Sequence, residues 1–288
     1  MFNPTKVIIN ACVERLQAGY RQIYGSLKPA HADILGRVGN MALETIANSD
    51  APYHNVEHTI LVTLAGQEVL RGKSMRESNV SCDDWLNAIV SWLCHDIGYV
   101  KGVCQNDNPA QRMYVTGLDD LAIALPVGAT DASLTPFHVD RAKLFVDENF
   151  SNCWAIDSQV VKRNIELTRF PVPTGESYLD TVNYPGLVRA ADLIGQLSDP
   201  RYLQKIPALF YEFEETGASK TLGYQTPEDV RKSFPHFYWN VVFSYIQPSL
   251  HYLELTLEGK QIIANLYANV FQVEHQQRSV SSRSLLEQ

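Results

Sequence analysis

Three short motifs place ionisable side chains in or beside segments that otherwise have the pattern of buried helices. The first is Y-H-N-V-E-H at residues 53–58, the second is His95-Asp96, and the third is Asp192 within an apolar run. Burying an ionisable group is unfavourable unless the group is paired or bound to a metal. Helices that bring the three segments together around one cation would remove this cost at all of them, which favours a fold of converging helices.

Apolar residues recur at helical spacing over most of the chain. This periodicity predicts helices near residues 7–16, 33–47, 54–70, 83–94, 135–149, 155–168, 185–197, 200–216, 227–232 and 236–273, the last with an interruption at Pro248. No stretch shows the alternation of a strand, and the many Gly, Pro, Asn and Asp residues of 99–131 indicate a long, partly irregular connection. The sequence therefore predicts an all-α multi-helix bundle, with one domain over residues 1–274 and a polar tail over 275–288.

The charge and the cysteines limit the classes of function. The 24 Lys and Arg residues against 32 Asp and Glu give a net charge of −8, which argues against a nucleic-acid-binding surface. A small anionic substrate stays possible, because a metal ion supplies local positive charge. Five cysteines without a C-x-x-C pair fit neither a disulfide framework nor a thiolate zinc site. Without a signal-peptide pattern or a membrane-length apolar run, we expect a cytoplasmic protein that does not enter membranes.

The spacing within the three motifs suits metal binding. His54 and His58 share one face if both lie in a helix, with His54 at its mouth. His95 and Asp96 are adjacent, so both reach one ion only near a helix end, and Gly98 predicts that end. Asp192 lies in an apolar helix, where a carboxylate seldom stays unpaired. It either joins the ion or pairs with Arg189, three residues earlier.

Two imidazoles and two carboxylates are a ligand set that suits Zn²⁺, Fe or Mn²⁺ with positions left open for water. The second oxygen of Asp96 allows a bridge to another ion, Mg²⁺ or Mn²⁺, held mostly by water. One or two such ions would supply an activated hydroxide suited to in-line attack on phosphorus, and a protonated His54 would donate to the leaving oxygen. The chemistry predicted is metal-dependent hydrolysis of a phosphate ester.

The same motifs resemble the HD-domain superfamily of metal-dependent phosphohydrolases. Within it they are most similar to the catalytic domains of class I cyclic-nucleotide phosphodiesterases, which carry Y-H-N-x-x-H, then H-D, then the Asp of an A-D-L segment, here Ala191-Asp192-Leu193. The resemblance covers residues 50–200 and implies a phosphodiesterase-like bundle around a metal site. It implies His54 as general acid, Asp96 as the bridge to a second metal, and as ligands of the first metal His58, His95, Asp96 and Asp192. The implied substrate is a nucleotide or a cyclic-nucleotide-like phosphodiester.

Five further residues are candidates for substrate binding: Asn55, Tyr99, Lys101, His138 and Thr168. Tyr99 and Lys101 follow the metal motif within a few residues. His138 opens a predicted helix, where it is either a further ligand or a solvated helix-start residue. Thr168 ends a segment, Ile165-Glu166-Leu167-Thr168, that is similar to a hydrophobic-x-x-Thr segment of the family.

Two positions depart from the phosphodiesterase pattern and leave rival functions open. Tyr99 stands where those enzymes have the second histidine of H-D-x-x-H, and an alignment through Pro248 puts Tyr238 at the glutamine that reads the purine. The resemblance therefore does not imply specificity for cAMP or cGMP. The rivals are an HD-type di-iron oxygenase, for which His138 is the spare histidine, and a non-catalytic metal- or nucleotide-binding module. Substrate, metal identity and oligomeric state stay open.

Overall fold

The structure, a computed structural model, describes residues 2–119 and 121–286, with side chains as far as residue 279. Its α-helices and strands are α1 (Pro4–Tyr24), α2 (Ala30–Ile46), α3 (Val56–Glu77), α4 (Cys82–Cys94), β1 (Met113–Val115), β2 (Ala122–Ala124), α5 (His138–Phe150), α6 (Ser158–Glu166), α7 (Tyr184–Leu197), α8 (Tyr202–Thr216), α9 (Ala218–Leu222), α10 (Pro227–Phe237), α11 (Phe243–Leu253) and α12 (Leu257–Leu286). Within the described residues the prediction of an all-α multi-helix bundle is confirmed. None of the described helices has both the length and the hydropathy to cross a membrane.

Helix α4 runs through the interior, as its apolar sequence predicts. Its start is fixed by a capping box, in which the Ser81 and Asp84 side chains each accept a hydrogen bond from the other residue's backbone N–H. Both of its tryptophans, Trp85 and Trp92, are fully buried. The indole N–H of Trp92 donates to the Val188 carbonyl, which ties α4 to α7. The second motif, His95-Asp96, therefore follows directly after a central helix that is held firmly by its packing.

Helix α3 packs closely against both α4 and α7, because glycines lie at the crossings. A Cβ on Gly66 of α3 would lie 2.4 Å from the Trp92 ring, and one on Gly195 of α7 would lie 2.5 Å from the Val62 Cα. Neither contact is sterically allowed, so these positions require glycine for the observed approach. The three helices that carry the motifs are consequently in direct contact.

Two predictions about the chain trace need correction. Residues 99–131 contain an antiparallel hairpin of β1 and β2, whose three-residue strands are too short to show alternation. Pro248 does not interrupt its helix, because it lies inside α11. The break falls after Leu253 instead, where the Thr256 hydroxyl accepts from the Gly259 N–H and starts α12.

The aromatic segment before α11 forms a single π-helical turn, Tyr238–Val242. Tyr238 is fully buried and packs against Trp239, Phe243 and Tyr267. Tyr238, the residue that the alignment puts at the purine-reading glutamine, therefore lies in the hydrophobic core. Helix α12 continues as far as Leu286, through most of the predicted polar tail, while residues 287 and 288 of that tail lie outside the described residues. The division into domain and tail stays a prediction.

Candidate functional site

Four side chains from three helices meet at one point in the interior. His58 lies in the first turn of α3, His95 and Asp96 follow directly after α4, and Asp192 lies on α7. The His58 Nε2 is 3.1 Å from Asp96 Oδ2 and 3.4 Å from Asp192 Oδ1. The His95 Nε2 is 3.2 Å and 3.5 Å from the same two oxygens. The structure therefore brings together all four residues of the expected first-metal ligand set.

Helix ends direct these side chains. Asn55 is the N-cap of α3, and its Oδ1 accepts hydrogen bonds from the backbone N–H groups of Glu57 and His58. Helix α4 ends at Cys94, and Asp96 has already left helical geometry, with φ −103° and ψ 2°. Leaving the helix lets two adjacent side chains, those of His95 and Asp96, turn toward the same point.

The chemistry of the four atoms fits a divalent cation. The His95 Nδ1–H donates to the Trp92 carbonyl at 2.7 Å, so in the neutral ring the Nε2 carries a lone pair. Histidines that bind metals are commonly oriented by such a second hydrogen bond. The His58 Nε2, the His95 Nε2 and the Asp96 Oδ2 are buried and have no hydrogen-bond partner. Buried acceptors that face one another in this way are stabilised by a shared cation.

If no cation is bound, protons on the histidines can compensate the negative charge of Asp96 and Asp192. Burial lowers the pKa of His95, but Asp96 and Asp192 raise it by more, so that it lies well above its usual value. Burial raises the pKa of Asp96, while the neighbouring histidines lower it well below its usual value. Without a cation, an imidazolium would hold the two carboxylates together. Metal binding must therefore displace protons from the site.

The general-acid candidate is held by a residue that the sequence analysis did not identify. The Nδ1–H of His54 donates to the Glu212 Oε2 across 2.5 Å, and the Glu212 Oε1 accepts from the backbone N–H groups of Tyr53 at 2.6 Å and His54 at 3.1 Å. Burial lowers the pKa of His54, but the Glu212 carboxylate more than offsets this effect, and the pKa rises to about 9. The sequence offered one signal for Glu212. It is a carboxylate between two aromatic residues, Tyr211 and Phe213, in a predicted helix.

His54 reaches the site from outside the helix, contrary to the expectation of a shared helical face. Helix α3 begins at Val56, so His54 belongs to the turn that precedes the Asn55 cap. Its ring centroid is nevertheless 5.3 Å from that of His58. The side chains of His54 and Asp192 are each 19% exposed, against at most 5% for those of His58 and Asp96. The cluster formed by the four expected ligands therefore opens to solvent on the side of His54 and Asp192.

His138 and Tyr99 complete the wall of the site. His138 is the first residue of α5, and its Nε2 is 4.0 Å from Asp96 Oδ1. It is only 8% exposed, so the interpretation as a solvated helix-start residue is wrong. The Tyr99 ring stacks on the His54 ring at 4.7 Å between centroids and on the His138 ring at 4.5 Å.

The remaining candidates for substrate binding have other partners in the structure. Asn55 caps α3, as described above. The Lys101 Nζ donates to the Asp50 carboxylate at 3.1 Å. Thr168 is buried, and its hydroxyl donates to the Ile165 carbonyl at 2.8 Å. A role of these three side chains in substrate binding stays a prediction. Asn55 contacts the backbone N–H of His58, whereas Lys101 and Thr168 make the contacts just described with other residues.

The expected alternative partner of Asp192 is engaged elsewhere. Arg189 donates to the carbonyls of Tyr178 at 2.7 Å and Asp180 at 2.5 Å, and its guanidinium lies over the Tyr245 ring at 4.0 Å. Asp192 faces the histidines instead. The pairing of Asp192 with Arg189 is therefore not formed.

A comparison with protein-family models gives a match over residues 2–276 to the family described as Npun_R2479-like. The chain belongs to the Npun_R2479-like family. No curated protein matches the sequence. The family description names no reaction, metal or fold.

Proposed function

We propose that this member of the Npun_R2479-like family is a metal-dependent phosphohydrolase of the HD type. Its proposed substrate is a nucleotide or a cyclic-nucleotide-like phosphodiester. The observation that carries the proposal is the convergence of four ligand atoms, each histidine nitrogen lying within 3.5 Å of both carboxylate oxygens. Two imidazoles and two carboxylates leave positions free for water on an ion with octahedral coordination, as a catalytic metal requires.

The chain supplies a ligand set and a separate proton donor. His58, His95, Asp96 and Asp192 would hold the first ion, which is Zn, Fe or Mn by the preference of such donors. A bound divalent ion supplies a Lewis acid that activates water and neutralises phosphate charge. Of the two Asp96 oxygens, Oδ2 faces the first ligand set and Oδ1 faces His138. Oδ1 is therefore available to a second ion, Mg or Mn.

His54 is the proposed general acid. Glu212 engages the Nδ1 of His54, which leaves the Nε2 as the nitrogen that acts on the leaving oxygen. The partial exposure of His54 puts it where the site opens to solvent, and there it can meet a substrate. A positioned acid of this kind contributes about 10²–10⁴-fold to a rate. Glu212 keeps His54 protonated and oriented for this step.

The net charge and the cysteines of the chain support the proposed partners and the proposed location. The net charge of −8 disfavours nucleic-acid partners, and a small phosphorylated substrate is expected to meet its positive charge at the metal. All five cysteines are free, which fits a reducing cytoplasm as the proposed location.

The test joins metal analysis with an assay. Purified protein is analysed for bound metals and assayed with bis-p-nitrophenyl phosphate plus Mn²⁺ or Mg²⁺. We expect metal-dependent release of nitrophenol, its loss together with the metal in Asp96→Ala and His95→Ala, and retained metal with slow turnover in His54→Ala. His251→Ala is the control, because His251 is exposed on α11 and 3.7 Å from Glu254. Full activity of metal-free Asp96→Ala would refute the mechanism.

The position of His138 favours a second candidate, the di-iron oxygenase. A buried imidazole beside Asp96 Oδ1 is the kind of additional ligand that a second iron requires. Bound iron with visible absorbance, oxygen consumption and no phosphate-ester turnover would support the oxygenase. Bound metal without either activity would support a non-catalytic metal- or nucleotide-binding module.

A further inference from the structure

Tyr99 occupies the space between two imidazoles. It is the last residue of the 3-10 turn Ile97–Tyr99, which follows Asp96 directly, and it is only 2% exposed. The planes of the Tyr99 and His54 rings differ by 10°, and those of Tyr99 and His138 by 22°. The three rings therefore form one nearly parallel stack with the tyrosine in the middle.

The backbone on both sides of Tyr99 is held by one buried guanidinium. Arg141 of α5 is fully buried, and its Nε donates to the Gly98 carbonyl at 2.7 Å while its Nη2 donates to the Val100 carbonyl at 2.9 Å. The buried Asp107 carboxylate, 2.9 Å from Nη2, balances the charge. A shift of the Tyr99 backbone would leave a buried charged donor unpaired, which is costly.

The backbone of Gly98 leaves no free space on the other side of the turn. A Cβ there would lie 1.9 Å from the His138 carbonyl oxygen, because α5 begins directly against the turn. The Tyr99 ring is thus fixed by the turn from which it projects.

Each neighbouring imidazole is anchored at a single edge. The Nδ1 of His54 is bound to Glu212, and the Nδ1–H of His138 donates to the Thr135 carbonyl at 2.6 Å. A hydrogen bond to one ring nitrogen leaves the ring able to tilt about that bond. A flat, immobile ring against the face of the imidazole removes this freedom.

We propose that Tyr99 is a positioning residue, whose ring sets the planes of His54 and His138 and so the direction in which each Nε2 points. This inference rests on the proposed phosphohydrolase function. The proposed role belongs to the aromatic face, because it is the ring that stacks on both imidazoles. Misplacing a reacting group by about 1 Å costs on the order of 10²-fold in rate, so a small tilt of His54 is enough to slow turnover.

The test compares Tyr99→Phe, which keeps the ring, with Tyr99→Leu and Tyr99→Met, which remove it. Two side chains are used for ring removal so that a folding failure of one variant does not decide the result. Tyr114→Leu is the control, because Tyr114 is a buried tyrosine in β1 that packs against Leu125 and Leu134 in a small separate core. Each folded protein is assayed for metal content and for kcat and KM with bis-p-nitrophenyl phosphate.

A spectroscopic readout reports the stack without any turnover. Spectra of ¹³C-histidine-labelled, Zn-loaded protein show the ring Cε1–H signals, and the His54 and His138 signals are assigned with the His54→Ala and His138→Ala variants. Stacking on an aromatic ring shifts these signals upfield. We expect both to move downfield in Tyr99→Leu and Tyr99→Met and to stay in place in Tyr99→Phe and Tyr114→Leu.

In the assay we expect kcat to fall about 10-fold to 100-fold in the ring-removal variants, with KM and metal content unchanged and with near wild-type kcat in Tyr99→Phe. Wild-type kcat in folded Tyr99→Leu or Tyr99→Met overturns the inference and leaves the proposed function standing. A kcat lost equally in Tyr99→Phe, or lost together with the metal, also overturns it. Absence of turnover in the wild type overturns the proposed function and this inference with it.

Discussion

Glu212 lies 158 positions after His54 in the chain, yet its carboxylate accepts a hydrogen bond from the His54 ring across 2.5 Å. The other oxygen of the same carboxylate accepts the backbone N–H groups of Tyr53 and His54. One side chain of α8 therefore fixes both the backbone and the ring of the proposed acid. Glu212 is therefore part of the proposed role of His54.

Replacing Glu212 by glutamine tests this relationship with little change in shape. The variant removes the negative charge that holds the His54 proton, so we expect kcat to fall about 10-fold to 100-fold while KM and bound metal are kept. Glu214→Gln, which alters an exposed residue of the same helix, is the matched control and should retain wild-type kcat. Equal kcat values for the two variants would exclude a role of Glu212 in the reaction.

Removal of the proposed metal should lower thermal stability. A ligand that binds only the folded state at about 100 times its Kd adds about 2.7 kcal/mol, which for a chain of this size corresponds to a Tm change of about 5–10 °C. We expect chelation to lower the Tm of the wild type by this amount and to leave the Tm of Asp96→Asn unchanged. A chelated wild-type sample that elemental analysis shows to be metal-free, and whose Tm has not moved, would contradict this expectation.

The pair of Arg141 and Asp107 should be more important for stability than any exposed pair. Both side chains are at most 1% exposed, so Asp107→Ala leaves a buried guanidinium uncompensated and should cost about 3–5 kcal/mol in the free energy of unfolding. The control is Asp147→Ala, because Asp147 is 40% exposed and its pair with Lys162 is worth about 1 kcal/mol at most. Urea unfolding measures both, and similar losses would refute the ranking.

Protonation of Glu166 should lower the free energy of unfolding at acid pH. Burial raises its pKa, but hydrogen bonds from Arg169, Lys143 and Tyr178 lower it by more, to about 2 from an ordinary 4.5. Because the folded-state pKa is the lower one, the stabilisation is present above pH 4.5 and is lost as the pH falls toward 2. We expect Glu166→Gln to lose less unfolding free energy than the wild type between pH 6 and pH 3. Glu14→Gln, an exposed carboxylate of α1, controls for the loss of one charge.

Gly98 should tolerate no side chain. Alanine there would place its Cβ 1.9 Å from the His138 carbonyl oxygen, which is backbone and has no freedom to move away. We expect Gly98→Ala to destabilise by about 1–3 kcal/mol or more in urea unfolding. Gly36→Ala is the contrast, because its Cβ would meet only the end of the Gln17 side chain and the substitution favours the helix. A Gly98 variant as stable as Gly36→Ala would show that the turn is not tightly packed against α5.

Local sequence patterns determined the helical class of this protein and the pieces of its site. The apolar periodicity of α4, the Ser81 capping box and the stop near Gly98 all depend on neighbouring residues, so the sequence alone indicates that His95 and Asp96 lie at a helix end. The motifs likewise marked the candidate residues, and the resemblance to HD-domain phosphohydrolases implied which four of them form the ligand set whose atoms the structure brings together. Such local patterns do not indicate which residue from a distant part of the chain contacts a given side chain.

Tertiary packing alone decided those partners. Glu212 reaches His54 because α8 packs beside the turn before α3, and no spacing rule connects residues 158 positions apart. The same packing directs Lys101 to Asp50 and Arg189 to two backbone carbonyls, and it places Tyr99 between two imidazoles. Helix caps and periodicity are set by contacts within a few residues. The partner of a buried charged or aromatic side chain is set by whichever helix covers it, and the sequence specifies that only through the whole fold.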